Sequence, residues 1–136
     1  MNPIIKNVLA VIVGVFVGGL VNMGFIMLSP SIIPPPEGVN VMDPESLAAN
    51  IHLFQPKHFI FPFLAHALGT LVGAALAYKI AANNNMKFAL GIGAFFLIGG
   101  IMNVMALNAP MWFNVLDLVA AYIPMGWLGG RLMQQT

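Results

Sequence analysis

Cysteine is absent from this chain of 136 residues. That excludes a disulfide framework, thiol catalysis and any cysteine-ligated zinc or iron–sulfur site. Charge is nearly absent too: Asp, Glu, Lys and Arg make up 7% of the residues, against about 25% in an ordinary soluble domain. Five basic and four acidic side chains cannot clothe a globule of this size in water, so a soluble enzyme and a disordered tail are excluded together. A net charge of +1 offers no basic face for phosphates and hence no nucleic-acid partner. Also missing are a glycine-rich phosphate loop, a Ser–His–Asp order and a redox dithiol.

Apolar residues are abundant, at 60% of the chain. A hydrocarbon core of about 30 Å needs roughly 20 mostly apolar helical residues per crossing. Four stretches meet that length: Val8 to Leu28, Phe59 to Ala82, Phe88 to Leu107 and Met111 to Met133. Strand-like alternation is absent, and only helices or closed barrels satisfy their backbone in lipid. The expectation is an all-α integral membrane protein, one domain over residues 1–136, folded as a four-transmembrane-helix bundle with the lipid bilayer as its first partner. The first stretch is too long for a signal-peptide core and lacks an A-x-A cleavage site, so it is read as a helix. Lys6, Lys79, Lys87 and Arg131 fall on one side of the path and only Lys57 on the other. The positive-inside bias therefore predicts a bacterial-type inner membrane protein with both termini cytoplasmic.

The outer loop, residues 29–58, has its own punctuation. Pro34-Pro35-Pro36 admits only extended backbone. Asp43-Pro44-Glu45 reads as a helix start, with Asp as N-cap and Pro at the first helical position. Leu47, Ile51 and Phe54 then follow at helical spacing, which predicts a short interfacial helix lying on the membrane or capping the bundle mouth.

A self-match links the first and third stretches: Gly18-Gly19-Leu20-Val21-Asn22 returns as Gly99-Gly100-Ile101-Met102-Asn103. The second and fourth match more weakly, through outer-end aromatics, an inner basic residue and one ionisable residue each, His66 and Asp117. This predicts two parallel-oriented helical hairpin repeats related by an axis along the membrane normal. Counted from the expected helix ends, Asn22, His66, Asn103 and Asp117 all lie roughly 6–11 Å below the outer boundary. Each also lies one turn from glycine, alanine or threonine, as His66 does from Gly69 and Thr70, and small residues mark the faces where membrane helices meet.

An acid within hydrocarbon costs about 2.5–3.5 kcal/mol on insertion scales, which makes Asp117 the residue of most weight. The expected ligand or ion pocket comprises His66, Asp117, Asn22, Asn103 and Thr70. Lys57, His58 and His52 stand at its outer entrance. The bland alternative is polar glue that fixes helix register. His52, His58 and His66 lack the spacing of a preformed chelate, and Met23, Met27, Met102 and Met105 read as packing rather than a copper path. No metal and no cofactor is assigned. Three functional classes remain in order. The first is a pocket that binds or passes a small solute, ion or proton, in a homo-oligomer or larger membrane complex. The second is a non-catalytic accessory subunit, and the third a small intramembrane enzyme using His66 and Asp117 as acid and base.

Overall fold

The computed structural model describes residues 1–136, and every regular element in it is helical. The helices are α1 (Pro3–Ile32), α2 (Pro44–Asn50), α3 (Ile60–Ile80), α4 (Asn85–Ala106), α5 (Met111–Ala120) and α6 (Ile123–Gln134), with short 3-10 turns at Ile51–Leu53 and Pro56–Phe59. Four segments are long and apolar enough to cross a membrane: Pro3–Ile32, Pro56–Ile80, Asn85–Ala106 and Met111–Gln134.

Two boundaries differ from expectation for local reasons. The first helix starts at Pro3, because the Asn2 side chain accepts a hydrogen bond from the Ile4 N–H at 2.8 Å and Pro3 suits a first helical position. It continues to Ile32 with Pro30 inside its last turn, at the loss of one ladder hydrogen bond, to the Ile26 carbonyl. Asn22 therefore lies about ten residues, or about 15 Å, below the helix end. The fourth segment, expected as one helix kinked by Pro124, is two. It breaks at Ala121–Tyr122, where Tyr122 leaves helical geometry at φ −116° and ψ −77°. Pro124 supplies the cause, since it cannot donate to the carbonyl four residues earlier and crowds that turn.

Both termini share one end of the bundle with the turn after α3. The Asn7 amide donates to Asn83 Oδ1 at 3.2 Å and accepts from the Ala82 N–H at 2.9 Å, and Lys79 Nζ reaches Thr136 Oγ1 at 3.5 Å. Asn84 takes the left-handed conformation, φ 50°, that asparagine tolerates. The opposite end, here the loop end, carries residues 33–59. There the Asp43 side chain caps α2 through the Glu45 N–H at 3.1 Å. Leu47 and Phe54 pack on a small core of Ile51, Phe59 and Phe113, so the short helix roofs the bundle.

Helix α3 is the centre of the fold. Against α1 it presents Gly69 and Gly73, whose carbonyl oxygens lie where Cβ atoms on Gly18 and Gly14 would stand, at 2.7 and 2.8 Å. Only glycine permits that approach, and close van der Waals contact is what holds apolar helices together in lipid. Against α6 it brings the Leu71 carbonyl onto Gly129. At the terminal end Ala10, Ala74, Ala77, Ala81, Ala89 and Ile92 knit α1, α3 and α4 into one core. Ile92 and Phe96 of α4 fill the space beside Gly14 and Gly18. Beyond Phe96 come Gly99 and Gly100, with no side chain to continue the filling, and a gap opens between α1 and α4 toward the loop end.

The two GGxxN runs are used differently. Gly18 is buried and Gly19 meets nothing, whereas Gly99 meets nothing and Gly100 is buried. The matched runs are thus one residue out of phase in their packing.

Candidate functional site

The site begins with His66 on α3 and Asp117 on α5. His66 Nδ1 lies 2.8 Å from Asp117 Oδ1 and 3.0 Å from Oδ2, and the two side chains are 16% and 5% exposed. Tyr122 completes the group, donating its hydroxyl to Asp117 Oδ2 at 3.0 Å and stacking on the His66 ring with centroids 5.7 Å apart. The helix break makes this possible. In an unbroken helix a residue five along would point about 140° away from Asp117. The break at Ala121–Tyr122 turns the phenol back onto the carboxylate. Room for it comes from Gly100 of α4, where a Cβ would stand 2.6 Å from the Tyr122 oxygen.

An ionised carboxylate only accepts hydrogen bonds, so this geometry places a proton on His66 Nδ1 and on the phenol. His66 Nε2 is then the free end of the ring, an acceptor when the imidazole is neutral and a donor when it is charged. Nε2 has no partner within the protein, and His66 lines a cavity of about 340 Å³ between α1, α3 and α4. Asn22, Thr70 and Asn103 line the same cavity. Thr70 is 1% exposed and its Oγ1 is buried without any hydrogen-bond partner. A buried hydroxyl left in that condition costs about 1–3 kcal/mol, and its enclosure keeps it out of reach of anything in the cavity that Thr70 borders.

A second cavity of about 170 Å³ adjoins the first at His66, Gly100 and Asn103, and Asp117 lies on its wall. Its other walls are mostly apolar, with Leu47, Ile51 and Phe54 of the roof among them. The polar groups therefore sit beneath a covered, oily chamber.

Five residues expected to form a pocket are thus gathered on two adjoining cavities, four on the larger and Asp117 on the smaller. Asn22 and Asn103 make no hydrogen bond to the His66–Asp117 pair; they stand across the space from it. The expected entrance residues are not gathered. His58 is buried and committed to the loop, accepting from the Gln55 N–H at 2.8 Å and donating from Nε2 to the Pro34 carbonyl at 3.1 Å. Lys57 and His52 are exposed, and neither lines either cavity. Tyr122 was not expected in the site. Its signal in the sequence was Pro124, whose break changes which residues share a face with Asp117. Compared with protein-family models, curated proteins and solved structures, the chain matches none.

Proposed function

We propose that the chain is a multi-pass inner-membrane protein, with both termini in the cytoplasm, whose intramembrane pocket binds or passes a small solute, ion or proton, working as an oligomer. The single observation that carries this reading is the free Nε2 of His66 on the wall of a cavity that Asn22 and Asn103 also line. A purely structural polar cluster would have turned these atoms toward one another. The orientation rests on the four basic residues at the terminal end against Lys57 at the loop end. The parallel-hairpin repeat is supported by Asn22 and Asn103, which approach one cavity from α1 and α4.

The chemistry available is proton handling. The carboxylate orients the imidazole, so Nε2 is placed to accept a proton from a guest and to return it. Proton entry into vesicles holding the purified protein and a trapped pH-sensitive dye tests this. The wild type is expected to acidify the lumen faster than empty vesicles do, with Asp117→Asn and His66→Phe falling back to the empty-vesicle rate. Flux that is indifferent to both substitutions would refute passage through this site.

A further inference from the structure

Resting on that pocket reading, we propose that the guest is a neutral amphiphile with a hydroxyl-bearing headgroup, which enters sideways from the lipid between α1 and α4. The walls of the larger cavity differ from back to front. Gly18, Gly69 and Thr70 at the back are buried, whereas Gly99, Met102 and Asn103 at the front are exposed on the flank of α4. Met102 is 64% exposed. The mouth is therefore on the side of the bundle, where a membrane-spanning chain meets acyl chains rather than water. The route from the loop end is roofed by Leu47, Ile51 and Phe54.

Charge selects the headgroup. All five Lys and Arg residues are exposed and none lines either cavity. A phosphate or carboxylate headgroup would find no counter-ion there, and an unpaired charge in such surroundings is expensive. A cation finds no free carboxylate either, because both Asp117 oxygens are engaged by His66 and Tyr122. What remains is a set of neutral partners: the lone pair of Nε2 and the amides of Asn22 and Asn103. A headgroup hydroxyl would donate to Nε2 and accept from an amide. At about 30 Å³ per water, the 340 Å³ cavity has room for a ring-sized headgroup. The adjoining apolar chamber and the open flank have room for its tail.

The test uses the full chain in phosphatidylcholine vesicles and a long-chain alkylphenol carrying a diazirine on its tail. Photolabelling is expected to saturate and to map to α1 and α4 near Asn22 and Gly99–Asn103. Asn22→Leu, His66→Phe and Met102→Trp, the last plugging the mouth from a lipid-facing position, should each lower it about tenfold. Lys57→Gln should leave it unchanged. Labelling that does not saturate, or that all three substitutions leave unchanged, overturns the proposal. Competition by tail-less phenol as effective as that of the unlabelled alkylphenol would overturn lateral entry. Equal competition by a fatty carboxylate would overturn the neutral headgroup. None of these failures touches the pocket reading, which proton flux through the wild type and its loss in Asp117→Asn report without any amphiphile.

Discussion

Replacing His66 by alanine is expected to lower folding stability by about 3–5 kcal/mol, because it strands Asp117 in a site where the carboxylate is almost fully enclosed. Tyr122 alone would remain to satisfy it. Asp117→Ala leaves an imidazole and a phenol without their shared acceptor, and its cost should be of the same order. His66 retains some exposure toward the cavity, so part of its loss is recovered by hydration. The double variant His66→Ala with Asp117→Ala removes both polar groups together and should cost less than the sum of the single changes by about 2 kcal/mol. Tyr122→Phe removes one hydrogen bond to a charged acceptor, worth about 1.5–3 kcal/mol. Equilibrium unfolding in mixed detergent micelles, followed by circular dichroism, measures the whole cycle. Additivity within about 0.5 kcal/mol would mean that the two residues are independent.

The glycines offer a second large effect with an internal control. A methyl group on Gly73 would meet the Gly14 carbonyl at 2.5 Å, and one on Gly100 would meet the Tyr122 oxygen at 2.6 Å. Backbone cannot retreat cheaply, and moving the phenol breaks its bond to Asp117. Gly73→Ala and Gly100→Ala should each cost about 1–3 kcal/mol, the range for overpacking. Gly19→Ala and Gly99→Ala meet nothing and should stay within about 0.5 kcal/mol of wild type or gain slightly from helix propensity. Thermal unfolding of the four variants in detergent separates the pairs. Equal effects at Gly99 and Gly100 would contradict the packing of Tyr122 against α4.

Much of the helical layout was legible because apolar runs of this length leave the backbone few alternatives. The meeting of His66 and Asp117 was legible for a related reason: two ionisable residues surrounded by apolar sequence have few partners except each other. The short helix α2 was marked by Asp43 and Pro44, which act locally. What escaped the sequence depends on contacts across long separations or on a change of helical phase. His58 bonds the carbonyl of Pro34, 24 positions away, and nothing in its neighbourhood distinguishes that from an entrance ligand. Tyr122 joins the site only because the chain breaks beside it. The paired glycines looked equivalent in sequence, yet which member is buried depends on how each helix is rotated against its neighbours.

One measurement bears most directly on how the polar layer beside the cavity is packed: the stability of Thr70→Val in the purified protein. Valine has nearly the shape of threonine without its hydroxyl, so the comparison isolates one polar atom. If Oγ1 is unsatisfied, as its surroundings indicate, the substitution should raise unfolding stability by about 1–2 kcal/mol. A loss of similar size would mean that the hydroxyl is hydrogen-bonded within the bundle, and would contradict the packing described around Thr70.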